Sequence, residues 1–280
     1  MAAFRGINLR SGDLAEQLGL LLLQNVSLVS QIPRTEDVGI DAVITLIREF
    51  DKYKFIAEDS FYVQIKSSSI HEIIFKDEQV KWLTELQLPF FIALVNRKKS
   101  EVYLYCAHYL SDVLATNPNR KEIILDLTDA SDYDCCDSSQ SIKVPIGPCV
   151  ISWSLDIVGN NKNFIGEFYK LLKTHVTIAK KSIETRRVGV VELVKWETGK
   201  APAINGTKIK PFKDSYMTDE VISPYFSALL QQFSNGESIY TARSLYSLLE
   251  KILERENHFI MVDGKKELIP FTVKLKNEKS

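Results

Sequence analysis

Arg34-Thr-Glu-Asp-Val-Gly-Ile-Asp-Ala-Val43, followed downstream by Phe61-Tyr-Val-Gln-Ile-Lys-Ser-Ser-Ser69, frames the stretch whose reading decides the fold. Two runs in it alternate with period two, Ile40 to Ile47 and Phe61 to Ser67, and this alternation predicts two half-buried strands. The polar Asp51, Lys52 and Lys54 between them suit the exposed tip of a long antiparallel hairpin. Successive strand side chains point to opposite faces. Phe61, Val63 and Ile65 therefore share one face of the second strand, and Tyr62, Gln64 and Lys66 the other. In the first strand Ala42, Ile44 and Leu46 are apolar, with Asp41, Val43 and Thr45 opposite them. When the two apolar faces lie on the same side, Asp41, Gln64 and Lys66 converge on the other.

A carboxylate, an amide oxygen and an ammonium together suit metal-assisted hydrolysis of a phosphodiester. Mg²⁺ takes hard oxygen ligands and keeps several waters, so one carboxylate, one neutral oxygen and a substrate phosphate make a workable ligand set. The lysine has a separate task, to position the attacking water or to stabilise negative charge developing on phosphate oxygens. An Asp opening a strand and a Lys closing one also serve as solvated punctuation. The convergence carries the reading, and neither residue does so alone.

Gly39-Ile40-Asp41 and Gln64-Ile65-Lys66, preceded by a helix bearing Glu16, resemble the PD-(D/E)XK nuclease superfamily, in particular its Mrr-like restriction endonuclease branch and a related bacterial family. The resemblance implies an α/β fold with an αβββαβ core around a mixed central sheet, and it covers about the first 110 residues. It also implies catalytic roles for Glu16, Asp41, Gln64 and Lys66, with Asp41, Gln64 and Glu16 holding Mg²⁺ or its substitute Mn²⁺. The implied activity is metal-dependent cleavage of DNA in restriction or defence against foreign DNA. One departure stands out. Gln64 occupies a position that is acidic in the family signature, which removes a negative charge from the metal site. A fold of this kind that has lost cleavage and serves as a nucleic-acid-binding or scaffolding subunit is the alternative expectation.

The whole chain has 280 residues, 45% hydrophobic and 25% charged, which are ordinary globular values that allow one large or two smaller domains. No apolar run is long enough for a membrane span, and the N-terminus lacks the pattern of a secretory signal, so the expected location is cytoplasmic with no membrane partner. Cys106, Cys135, Cys136 and Cys149 show no C-x-x-C spacing, and reduced thiols are expected. The net charge of −1 gives no general support to nucleic-acid binding, so any phosphate-binding surface must be local.

In chain order the pattern predicts a helix from Ser11 to Asn25 with Ser11 as N-cap, and a strand from Val26 to Ile32 ended by Pro33. After the hairpin, Ile70 to Phe75 reads as an extension of the sheet, Asp77 as a helix cap, and Phe90 to Val95 as a buried central strand. Val102 to Cys106 follows as a strand, then a short helix and a strand from Glu122 to Leu127. The acidic, serine-rich stretch from Asp129 to Ser139 marks an expected boundary, with a nuclease-like domain over 1–128 and an α+β region over 140–280 for nucleic-acid binding or oligomerisation. There the sequence predicts β structure from Ile142 to Leu155, a long helix from Asn163 to Arg187 and a strand from Val188 to Trp196. Helices around Asp219 to Phe233 and Glu237 to Glu256 come next, then strands from Phe259 to Val262 and Leu268 to Leu275. Between Lys162 and Lys213 roughly 12 basic residues face 4 acids. Lys180, Lys181, Arg186 and Arg187 of this segment are the candidate nucleic-acid contacts. Expected partners are DNA and, for control, a second copy of the chain or a companion defence protein.

Overall fold

The computed structural model describes residues 7–33, 39–51, 54–186, 189–209, 259–262 and 265–268. Helix α1 (Ile7–Gln24) leads into strands β1 (Ser27–Gln31), β2 (Ala42–Asp51) and β3 (Lys54–Ser67), which pair as an antiparallel meander. The chain continues through β4 (Glu72–Lys76) and α2 (Glu78–Glu85) to β5 (Phe90–Asn96) and β6 (Glu101–Cys106). Strand β5 runs parallel to β3, and β6 returns antiparallel to β5. Helix α3 (Tyr109–Thr116), β7 (Glu122–Asp126), β8 (Ser141–Pro145), β9 (Ile151–Ser154), α4 (Leu155–Asn160) and α5 (Phe164–Arg186) follow, then β10 (Val190–Lys195) and β11 (Ala203–Ile209).

The central sheet has the order β1-β2-β3-β5-β6-β9 and is mixed. The protein is thus α/β, and its N-terminal elements arrive in the order helix, three-stranded meander, helix and strand, with β4 inserted before the second helix. Alternation decides which side of each strand is buried. Ala42, Ile44, Leu46, Phe61, Val63, Ile65, Phe91, Ala93, Val95, Val102 and Leu104 form one apolar face, and α1 and α5 cover it with Leu22, Leu23, Phe168, Leu172 and Val176. The other face, with Phe90, Ile92 and Leu94, shares a second core with α2, α3 and the three-stranded sheet β4-β7-β8. Strand β5 is buried on both faces, and this explains its uninterrupted apolar sequence.

Three expectations differ from the structure. Helix α1 begins at Ile7, which places Ser11 inside the helix and not at its cap. Strand β4 does not extend the central sheet but pairs with β7. Its Ile73 and Phe75 therefore face the second core. The Asp129 to Ser139 loop does not separate folding units, because β8 pairs with β7 across it and β9 joins the central sheet beside β6. The chain divides instead into Met1–Ser215 and Tyr216–Ser280. In the second unit β12 (Phe259–Val262) and β13 (Lys265–Leu268) form an antiparallel hairpin, and the expected helices of that unit lie outside the described residues. No helix among the described residues is long and apolar enough to cross a membrane.

Candidate functional site

Asp41 stands at the point where β2 begins. Its backbone is held on both sides, with its carbonyl accepting from Ile32 N at 3.0 Å and its amide donating to Val63 O at 2.9 Å. The Ala42–Val63 register, continued by one step, sets Asp41 opposite Gln64. Just before Asp41 the chain turns away at Gly39, whose φ of +86° suits glycine. Beyond Val63, strand β3 therefore has no β2 backbone to pair with. The Asp41 carboxylate fills the gap, and its Oδ2 accepts from Ile65 N at 2.5 Å. This draws one carboxylate oxygen into the seam of the sheet, not squarely onto the Gln64 face as simple alternation predicts.

Gln64 and Lys66 do share the face opposite Ile65, as their spacing requires. Gln64 is only 7% exposed, and its Oε1 is buried without a hydrogen-bond partner. An unmet buried acceptor of this kind costs about 1–3 kcal/mol, so the site holds an oxygen in wait for a donor or a cation. Gly39 and the Trp82 ring flank it, for a Cβ on Gly39 would lie 3.7 Å from Trp82 Cη2 and 3.9 Å from Gln64 Nε2. Lys66 is half-buried and forms no ion pair with any described residue.

Glu16 comes to this end of the sheet from the other side. Its helix packs on the Ile65 face, where a Cβ added to Gly19 would meet Ile65 Cγ2 at 2.7 Å and Val95 Cγ2 at 3.0 Å. Glu16 lies one turn before Gly19, half-buried, at the end of the sheet where β2 starts. The structure thus brings Asp41, Gln64 and Lys66 together at one strand seam and places Glu16 across the sheet from Gln64. A carboxylate and an orphaned amide oxygen at that seam are hard donors and fit Mg²⁺.

Compared with known proteins, the chain matches no family model, no curated protein and no solved structure. Geometry and chemistry alone bear on its function.

The basic segment is engaged within the molecule. Lys180 pairs with Asp59 of β3, and Lys181 with Glu192 of β10. Arg186 Nη2 donates to Leu83 O and Thr84 O, each at 3.0 Å, in the last turn of α2, where carbonyls point outward and a cation is favoured. Arg187 lies outside the described residues, as do Glu36 and Asp37. These contacts link α5 to β3, β10 and α2. His108, which follows β6, meets His175 of α5 at 3.0 Å in the interior, a pairing that no motif in the sequence signals.

Proposed function

We propose that the seam bearing Asp41, Gln64 and Lys66 is a Mg²⁺-dependent phosphodiesterase centre and that the protein is an endonuclease acting on DNA, in restriction or defence. The observation that carries this reading is the buried, unpartnered Gln64 Oε1 opposite the Asp41 carboxylate, with the Lys66 ammonium two residues further along the same face. The element order of the N-terminal sheet, which matches what the resemblance implies, supports it independently of these side chains.

Bound Mg²⁺ would polarise the scissile phosphate and lower the pKa of a coordinated water. Asp41 would supply negative charge to the ion, and Gln64 Oε1 a neutral ligand. The Ile65 N–H holds Asp41 Oδ2 and fixes the carboxylate rotamer before substrate arrives. Lys66 would hold the attacking water and meet negative charge on the phosphate oxygens. Glu16 would act from the α1 side of the seam.

The second reading, a nucleic-acid-binding or scaffolding subunit without cleavage, is favoured by one observation. The Gln64 face carries a single acidic residue of the expected set, since Gln64 is neutral and Glu16 belongs to the helix on the other face. A Mg²⁺ titration of plasmid nicking separates the two. Wild-type protein should nick, Gln64→Glu should nick at lower Mg²⁺, and Asp41→Ala should lose both nicking and metal binding. Lys66→Ala should bind metal normally and cleave roughly 10² to 10³-fold more slowly, the usual loss for one charge-stabilising donor. Silence of wild type and Gln64→Glu on DNA and RNA, in folded protein, would favour the binding reading. Full activity of Asp41→Ala would remove the assignment altogether.

A further inference from the structure

Strand β6 ends at Cys106, the chain turns through Ala107 to His108, and α5 brings His175 against both from a distant part of the sequence. All three residues are buried, and each can present a ligand atom so that the three atoms lie within 4.8 Å of one another. His108 Nε2 and His175 Nδ1 share one hydrogen bond, which uses one nitrogen of each ring. His108 Nδ1 and His175 Nε2 are buried without a hydrogen-bond partner. His108 is 7% exposed and His175 is fully buried, so no bulk water meets these atoms.

A neutral imidazole carries one N–H and one lone pair. Whichever way the shared bond runs, one buried N–H and one buried lone pair are left over, with the Lys200 backbone close to His175. Protonation does not resolve this. Burial holds His108 well below the usual histidine range, helped by the neighbouring His175, and brings His175 down to about 4 against a smaller upward pull from the Lys200 backbone. Burial also pushes the Cys106 thiol well up, and this removes it as a free nucleophile. Trp196 closes the cluster on one side, its ring 5.0 Å from that of His108 and 6.1 Å from that of His175. A cavity of about 20 Å³ touches Cys106 and His108, with Ala179 and Ile183 of α5 on its wall, which is room for one water.

We propose that Cys106, His108 and His175 bind one divalent cation of the zinc type, with a water in the fourth position, and that this ion pins α5 to the end of β6. One thiolate and two neutral imidazoles are the nitrogen and sulfur donors that such an ion prefers. Zn–N bonds of about 2.0–2.1 Å and a Zn–S bond of about 2.3 Å in tetrahedral array set the ligand atoms roughly 3.3 to 3.6 Å apart. The two rings need to separate by only a few tenths of an ångström from their 3.0 Å hydrogen bond. On binding, Cys106 loses its proton to solvent and the Cys106 sulfur–metal bond forms. The proton of the histidine–histidine bond moves to the other nitrogen of its own ring, so that His108 Nδ1 and His175 Nε2 both carry N–H while His108 Nε2 and His175 Nδ1 face the ion. One proton is released per cation and nothing is oxidised or reduced. The site is separate from the Asp41 seam, because Cys106 belongs to the opposite, apolar face of the sheet.

The test is Co²⁺ titration of the metal-stripped, full-length protein, followed by optical absorption and Zn²⁺ displacement. One equivalent should bind with tetrahedral ligand-field bands and a thiolate-to-cobalt charge-transfer band, and Zn²⁺ should abolish both. Cys106→Ser should lose the charge-transfer band and weaken affinity by more than about tenfold, and His175→Gln should weaken it comparably. Cys136→Ser, an exposed thiol, should change nothing. Should the buried variants fail to fold, a protein keeping Cys106 as its sole cysteine must retain the band. Absence of stoichiometric binding by folded wild type, or a band that survives Cys106→Ser or vanishes in the sole-cysteine protein, overturns the proposal. Neither result touches the Mg²⁺ reading of Asp41.

Discussion

At Gly147 the backbone takes a φ of +83°, and a Cβ there would lie 2.6 Å from Trp196 Cζ2 and 3.0 Å from Tyr109 Cε2. Trp196 is held beneath it by its Nε1, which donates to Pro148 O at 2.8 Å, and it packs against both buried histidines. Gly147→Ala combines a left-handed backbone with a clash against a ring that has no room to retreat. The two effects should together destabilise the protein by roughly 2–5 kcal/mol. Denaturant unfolding at unchanged slope measures this, and a loss under about 1 kcal/mol would mean that Trp196 moves aside freely. At this scale the sequence was partly legible. Asp41, Gln64 and Lys66 could be brought together because strand alternation is a rule of two. The turn of the Asp41 carboxylate toward Ile65 N was not legible, because it depends on where β2 stops pairing. The meeting of His108 with His175 was not legible, because it depends on how α5 crosses the sheet, which spacing within one element does not express.

Among the elements, α5 is fastened to the β2–β3 hairpin by charge. Glu58 of β3 accepts from Tyr169 Oη at 2.5 Å, from Arg48 Nε at 2.8 Å and from Lys173 Nζ at 3.0 Å, while Asp59 pairs with Lys173 and Lys180. These donors hold the Glu58 carboxyl down at about 2, with Tyr169 the largest influence, and also lower Asp59. A depressed carboxylate contributes stability that is complete above its unfolded pKa and is lost as pH falls through the folded one. Thermal stability should therefore decline as pH drops from about 4.5 toward about 2, and Glu58→Gln should flatten that limb. An acid limb identical in both proteins would assign the sensitivity to other groups. The amphipathic run from Phe164 to Ile183 made α5 readable as a helix. Its lysines read equally well as phosphate contacts, because sequence gives the sign of a charge but not the location of its counter-charge.

For the whole molecule, the useful division falls at Ser215, not after Thr128. A chain ending at 215 keeps both cores and should unfold cooperatively. A chain ending at 128 loses Trp153, Phe168, Leu172 and Val176 from one core, and Ile142 and Val144 from the other. Circular dichroism and proteolysis of the two fragments check this, and a stable 128-residue fragment would show that α5 is dispensable. The acidic loop looked like a linker because its composition is that of one. What the composition could not reveal is that β8 and β9 return across it to sheets begun earlier.

That return has a consequence for synthesis. As the protein leaves the ribosome, β2, β3 and β5 emerge well before the α5 side chains that cover part of their apolar face. Parallel pairing of β3 with β5 and the late arrival of β9 and α5 make the contacts long in sequence, which slows folding and leaves that face uncovered in the nascent chain. The interval between the emergence of β5 and that of α5 (Phe164–Arg186) is accordingly the one in which the growing chain most needs a chaperone's shelter.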